Sequence, residues 1–491
     1  MIRRLLVSAW LGFALAALFF YPLVVALDTD VYYLQWQRSD SVEAVVVIAL
    51  ASVAFAALVY AIWPRSGRGP LLALIAVALL PLASLAAGLA RQLPFDDALR
   101  ELGDNRLLLF GGAALIGAFV AGGIALWPAG SARWFRRLLI LVSPVSLVVV
   151  EGLMTSVVQG RPVIVSTNSE PAVAASEASA CKPVLALLFD ELSFSYLHDD
   201  ANQVREEFPA IRAFASQATN YLSVAAPGPE TLVAMPSFLA ARHLRNVRVD
   251  RALMRELGED GEWIPFRTDA PDALFPAAKR LGFRTEMAGY YLPYCEMLQG
   301  LVDECQSLSF YNVSSVDADF SLTDPVLTTL ILWPRQFPFG LLKNPPFARL
   351  QRELVAKTTA FASRPMTRNQ AVFRFVHFSV PHLPFVFDAN GYDPPFNPLR
   401  LSPDTAYVRQ IEYVDRLFAG IIDGTRADGT FDQTTIILLA DHGFRSGGRE
   451  RNALHVPFIV KQPGQRERRD VSDPVPGELL LEQSLRDSCG A

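Results

Sequence analysis

Two stretches of this chain finish an apolar run with side chains that bind cations. Thr434 to Ala440 is followed at once by Asp441-His442-Gly443, and Val184 to Phe189 by Asp190-Glu191. Carboxylate oxygen and neutral imidazole nitrogen are both good ligands for a divalent ion. Each pair alone also reads as a helix cap or a surface turn. If the two runs are strands of one parallel sheet, however, their carboxyl ends share an edge, where open α/β sheets gather ligands. The long stretch of chain between them is then no obstacle to their meeting.

A hydroxyl and three imidazoles extend this group. Thr231 follows the turn-like Pro227-Gly228-Pro229-Glu230 and precedes Leu232-Val233-Ala234-Met235, so it sits at a helix start. Threonine is a poor nucleophile at neutral pH, but a bound cation and the positive end of a helix dipole both favour its alkoxide. An ordinary N-cap is the alternative. His377 lies in a third apolar run, Val372 to Phe378, with His382 five positions on, and His455 follows the Asp441 motif. Imidazoles at a sheet edge can orient anionic oxygens, protonate a leaving oxygen or hold a second metal, although any one of them could equally be a structural histidine. His198 and His243 fall outside the pattern and have no assigned role.

Strands alternating with helical patterns such as Ala406 to Ile422 argue for an α/β domain with a mostly parallel sheet covered on both faces. This domain occupies residues 183–491, after a linker at 159–182 that is rich in Ser, Ala, Glu and Asn. Within it, Leu327 to Phe347 interleaves Trp333, Phe337 and Phe339 with four prolines. That composition suits a surface loop or a contact with the membrane interface. Cys295 and Cys305 flank a loop-like stretch and are expected to pair as a disulfide that staples it, while the partners of Cys181 and Cys489 stay open.

Residues 1–158 read differently. Five apolar stretches, Leu5 to Leu27, Ala44 to Trp63, Leu71 to Ala90, Leu107 to Trp127 and Leu138 to Val158, are each about 20 residues long, enough to span a hydrocarbon core of about 30 Å. Arg3 and Arg4, Arg65 and Arg68, and Arg133, Arg136 and Arg137 fall in segments without acidic residues, whereas the alternate loops carry Asp and Glu. Basic segments stay cytoplasmic, so an odd number of spans carries residues after about Val158 outward. The expected location is a bacterial inner membrane, multi-pass, with the second domain in the periplasm. The first span lacks a clear cleavage site after Leu27 and is expected to remain as an anchor. A net charge of -5 offers no basic surface for nucleic acid.

Taken together, Phe189-Asp190-Glu191, Thr231 with Pro236-Ser237, His377 and His382-Leu-Pro, Ala440-Asp441-His442-Gly443 and His455-Val-Pro-Phe resemble the sulfatase-like branch of the alkaline phosphatase superfamily. The five preceding spans and the motif order are similar to membrane-anchored phosphoethanolamine transferases and lipoteichoic acid synthases. The resemblance implies an alkaline-phosphatase-like α/β/α domain with a divalent metal (zinc, manganese or calcium) held by Asp190, Thr231, Asp441 and His442, with Glu191 assisting. It implies Thr231 as nucleophile and His377, His382 and His455 as substrate-binding groups. A membrane-associated substrate, such as a phospholipid, would donate a phospho group to an envelope lipid or glycan. Thr231-Leu-Val-Ala-Met departs from the Cys/Ser-x-Pro-x-Arg signature of formylglycine sulfatases, and threonine cannot become formylglycine. Two rival readings stay open, a hydrolase of sulfate or phosphate esters and a noncatalytic protein of envelope polysaccharide assembly or sensing.

Overall fold

The computed structural model describes residues 2–24, 38–62, 68–92, 126–159, 181–250, 253–308, 322–323, 325–330, 345–366, 370–392, 402–445 and 452–490. The span expected at Leu107 to Trp127 lies almost wholly outside these residues. The linker segment Ser166 to Ala180 and the aromatics Trp333, Phe337 and Phe339 lie outside them entirely. The chain forms two compact units, Met1–Arg161 with Tyr311–Pro346, and Pro162–Phe310 with Phe347–Ala491. Residues 311–346, counted by sequence with the second domain, thus cluster with the first unit, where Leu322 and Val326 line an apolar cavity with Phe19, Phe20 and Val47.

The first unit is helical: α1 Ile2–Phe19, α2 Arg38–Ile62, α3 Arg68–Gln92, α4 Pro128–Val142 and α5 Ser146–Gln159, the last two joined by a 3-10 turn at Ser143–Val145. Leu11, Leu15, Val59, Leu74 and Leu139 form its core. Leu5, Val53, Leu72 and Leu141 instead point outward, as contact with lipid tails requires. A side chain at Gly12 would collide with the backbone of Ala56, so this glycine lets α1 and α2 approach closely. Three segments, Ile2–Phe19, Val42–Ile62 and Pro128–Met154, are long and apolar enough to cross a membrane among the described residues. Five are not shown. Arg133, Arg136 and Arg137, expected in a loop between two spans, instead lie within α4. Pro128 presets the first helical turn, and buried Gly130, Ala132 and Leu139 give α4 an inward face; Arg133 and Arg137 are exposed, while Arg136, four positions after Ala132, is half-buried on that face.

The second unit is built on a nine-stranded mixed sheet. Its strands are β1 Val184–Phe189, β2 Thr219–Ala225, β3 Arg284–Tyr290, β4 Glu304–Leu308, β5 Val372–Phe378, β6 Thr435–Ala440, β7 His455–Lys461, β8 Arg469–Val471 and β9 Val475–Pro476. The order across the sheet is β8-β2-β7-β6-β1-β5-β3-β4, with β9 also on β2. β6, β1, β5, β3 and β4 run parallel, and β7 is antiparallel to both β6 and β2. Every side chain of β1, β5 and β6 is buried, the signature of strands covered on both faces. Burying each large apolar side chain there contributes about 1.5–3 kcal/mol.

Register then places the chemistry. Phe189 pairs with Ala440 on one side and with Phe378 on the other, so Asp190 and Asp441 leave the sheet at one level. Because β7 is antiparallel, its first residue His455 lies at the same edge, opposite Ala225 at the end of β2. From there the chain needs only residues 226–230 to reach α6 Thr231–Ala240. A long helix, α7 Pro403–Ala427, starts with the Ser402 side chain accepting from the Thr405 N–H at 3.2 Å. Disulfides join Cys181, just before β1, to Cys489 at the C-terminal end, and Cys295 to Cys305 on β4.

Candidate active site

Thr231 is the first helical residue of α6, and Glu230 occupies the N-cap. Its Oγ1 donates to Asp441 Oδ2 at 2.8 Å and lies 3.3 Å from His442 Nε2. Asp441 Oδ1 accepts from the backbone N–H groups of Glu191, at 3.0 Å, and His442, at 2.9 Å. The Asp190 N–H donates to the Phe378 carbonyl at 3.1 Å, which ties the end of β1 to the end of β5. His442 Nδ1 faces the Gly443 carbonyl at 3.0 Å. A carbonyl only accepts, so Nδ1 carries the proton and the Nε2 lone pair points into the cluster. There it lies 3.4 Å from Asp441 Oδ2 and 3.8 Å from Asp190 Oδ1.

All four side chains are buried. Ligand atoms of Asp190, Asp441 and His442 lie within 4.8 Å of one another. Burial, reinforced by the charges of Asp441 and Glu191, pushes the Asp190 carboxyl well above the usual carboxylate range, although Arg445 and a hydrogen bond from Thr231 oppose this. Burial also raises Asp441, but His442, His377, the Glu191 N–H and the Thr231 hydroxyl outweigh it and hold this carboxyl low. Asp190 Oδ1 and Glu191 Oε2 are buried with no hydrogen-bond partner. Two crowded carboxylates, a lone-pair imidazole and orphaned oxygens are the donor set that a divalent cation satisfies. The residues present therefore fit a metal.

The other residues singled out by sequence divide. Glu191 stands beside this group with φ at 63°, a left-handed conformation that non-glycine residues seldom adopt. Its Oε1 accepts from Arg445 Nε at 3.0 Å. Its carbonyl accepts from the Tyr407 hydroxyl, whose oxygen in turn accepts from the Ser193 N–H at 3.0 Å. Tyr407 stacks on Phe444 with centroids 4.0 Å apart, so α7 braces the loop after β1. His377 is fully buried, its Nε2 3.9 Å from Asp190 Oδ2 and its Nδ1 2.7 Å from the Tyr294 hydroxyl. Burial lowers its pKa to about 4. His382 is partly buried, with Nδ1 2.6 Å from the Leu383 carbonyl, and burial lowers its pKa too.

His455 is directed elsewhere. Its Nε2 lies 2.9 Å from the Leu222 carbonyl, and its ring stacks on Phe194 with centroids 4.0 Å apart. Phe194 stacks in turn on His198. Among the described residues no hydrogen bond joins His455 to the Thr231 cluster. Sequence reasoning missed Arg445, Tyr407 and Tyr294. Arg445 lies two positions beyond Gly443 and could have been read from that closeness, whereas nothing local marks the two tyrosines.

Residues 183–477 match the Sulfatase family. The chain belongs to that family and is an enzyme of the sulfatase-like alkaline phosphatase superfamily. Among solved structures it is similar to a phosphonate monoester hydrolase from Silicibacter pomeroyi, at 17% identity over 63% of this chain and 73% of that one, with a TM-score of 0.42. It is also similar to a 2-O GAG sulfatase, at 14% identity over 63% and 71% with a TM-score of 0.41. A sulfatase from Pseudoalteromonas sp. gives 13% identity over 63% and 68%, with a TM-score of 0.41. No curated protein matches.

Proposed function

We propose that this protein is a membrane-anchored, metal-dependent phospho-group transferase that works from the outer face of a bacterial inner membrane. The observation that carries the reading is the position of Thr231. Its hydroxyl stands at the start of α6 and donates to Asp441 inside a buried carboxylate–imidazole cluster. Asp190, Asp441 and His442 would hold the metal together with Thr231, and Glu191 Oε2 is free to assist. When bound, the metal lowers the pKa of the hydroxyl and offsets charge that develops on the phosphoryl oxygens. Thr231 Oγ1 attacks phosphorus and passes its proton to Asp441. The bond to the leaving oxygen breaks, and the proton held by Asp441 passes to that oxygen. An acceptor hydroxyl then attacks the phosphothreonine, which restores Thr231 and yields the modified acceptor.

The long apolar helices support a lipid donor, because confinement beside a bilayer raises its effective concentration. In the first unit an apolar cavity of about 420 Å³, lined by Phe19, Phe20, Val47, Phe55, Leu322 and Val326, would suit an acyl chain. A second reading, hydrolysis of a phosphate or sulfate ester, follows if water is the acceptor, and membership of the Sulfatase family favours it. Product analysis after incubating the full chain with zinc and phosphatidylethanolamine vesicles separates the two. A transferase consumes headgroup beyond one equivalent of enzyme only when an acceptor is present. A hydrolase releases free phosphoethanolamine or phosphate without one. Thr231→Ala is expected to abolish either reaction, and near wild-type turnover by that variant refutes the covalent route.

A further inference from the structure

His442 and His377 face the same cluster, yet the partner of each Nδ1 sets them in opposite states. His442 Nδ1 meets a carbonyl, so its Nε2 is a lone pair. His377 Nδ1 meets the Tyr294 hydroxyl at 2.7 Å. Tyr294 is fully buried, and among the described residues its hydroxyl has no other hydrogen-bond partner. If His377 carried its proton on Nδ1, the phenolic hydrogen would be orphaned in the core, where an unsatisfied donor is destabilising. The Nε2 lone pair would then also face the Asp190 carboxylate at 3.9 Å. If Tyr294 donates to Nδ1 instead, the phenolic hydrogen is satisfied, and the Nε2–H, with no hydrogen-bond partner of its own, faces the Asp190 carboxylate rather than presenting a lone pair to it.

We propose that Tyr294 is a positioning residue that locks His377 in its Nε2–H form, so that His377 presents a hydrogen-bond donor, and not a base, to an anionic oxygen of the substrate. The role of the donor rests on the reading of the cluster as a site of ester chemistry; the tautomer does not. His377 Nε2 is buried without a hydrogen-bond partner, which leaves its proton for a ligand that enters beside Asp190. Tyr294 is held firmly enough to do this. Its N–H donates to Ser307 Oγ at 3.0 Å, and Ser307 Oγ donates to the Leu292 carbonyl at 3.1 Å. The adjacent Cys295 is bonded to Cys305 on β4. Gly289 on β3 leaves room for the ring, since a Cβ there would stand 2.6 Å from Tyr294 Cε2. The disulfide therefore fixes the turn that carries the tyrosine.

The test uses the full-length, zinc-loaded protein in detergent micelles with 15N-labelled histidine. Long-range 1H–15N correlation reads which ring nitrogen bears the proton, and His377→Gln assigns the signal. The expected result is a proton on Nε2 of His377 in the wild type and a mixture of tautomers in Tyr294→Phe, which keeps the ring and loses only the hydroxyl. A proton on Nδ1, or an unchanged spectrum in Tyr294→Phe, overturns the proposal. In a second arm, turnover of bis-p-nitrophenyl phosphate is expected to fall about 10-fold in kcat for Tyr294→Phe with little change in KM, and about 100-fold for His377→Ala. His377→Gln, whose amide donates but cannot act as a base, should keep about a tenth of kcat and become indifferent to Tyr294→Phe. A glutamine variant as poor as alanine overturns the donor role. A wild type with the expected tautomer that turns over no ester refutes the proposed function and leaves the tautomer assignment standing.

Discussion

Asp190→Asn should stabilise the metal-free protein while removing its response to metal. Asp190, Asp441 and His442 have ligand atoms within 4.8 Å of one another. Two carboxylate charges 4.8 Å apart repel by about 3.5 kcal/mol at an effective dielectric of about 20. Partial protonation of Asp190 and the nearby Arg445 offset some of this, so neutralising the group should return about 1–3 kcal/mol. At about 2–4 °C per kcal/mol, the apparent melting midpoint of the variant in chelator rises by about 2–12 °C. Zinc at 100 times its Kd stabilises the wild type by about 2.7 kcal/mol, and the variant, lacking a carboxylate ligand, gains little. The order of stability therefore inverts between EDTA and zinc. The sign of the pH dependence follows from the raised pKa of Asp190. Stability from this group is complete below the unfolded-state value of about 3.9 and is lost as pH rises through the higher folded value. In chelator the advantage of the variant should thus be absent near pH 3.5 and grow toward pH 8. The assay is a thermal melt of full-length protein in micelles, followed by intrinsic fluorescence. A variant less stable than wild type in EDTA at pH 8, or one that zinc stabilises as much as wild type, refutes the reasoning.

Cys181→Ser with Cys489→Ser opens a closure that spans 308 positions and should destabilise the second unit by about 2–5 kcal/mol, read as a lower melting midpoint that reductant no longer shifts. Tyr407→Phe removes the hydroxyl shared by Glu191 and Ser193; a loss of about 1–3 kcal/mol is expected, along with weaker zinc affinity by titration calorimetry, and unchanged affinity would show that the brace does not set the site. Arg445→Met leaves the Glu191 carboxylate unpaired and should raise KM for anionic esters about 10-fold or more, whereas an unaltered KM would place the guanidinium outside the substrate's reach.

The three strands that carry the site were legible because two are nearly unbroken apolar runs and the third, Val372–Phe378, is an apolar run interrupted only by Arg374 and His377. Val184–Phe189 and Val372–Phe378 match the sequence boundaries, and Thr435–Ala440 begins one residue later. Parallel pairing then forces Asp190 and Asp441 to one edge, so their meeting follows from topology alone. Other features depend on side-chain direction, which no local pattern encodes. His455 was placed at the right edge but turns its ring to Phe194 and the Leu222 carbonyl. Tyr294 sits in a four-residue helix, too short to show periodicity, and the tautomer of His377 depends on it. The arginines of α4 mimic a loop in composition, yet a helix tolerates such long side chains where they stay exposed, as Arg133 and Arg137 do, or half-buried, as Arg136 is. Residues 311–346 read as part of the domain that flanks them in sequence, because chain order does not reveal which unit a segment's apolar residues join.

The central claim is that Thr231 becomes covalently modified. Intact-mass and peptide mass spectrometry of full-length, zinc-loaded protein, quenched in acid after incubation with phosphatidylethanolamine vesicles and no acceptor, tests it directly. The account predicts a mass increment of one phosphoethanolamine group on the peptide that contains Thr231, absent in Thr231→Ala and absent when EDTA replaces zinc. Headgroup loss from the lipid with no increment on that peptide, at the same rate in Thr231→Ala, would contradict it.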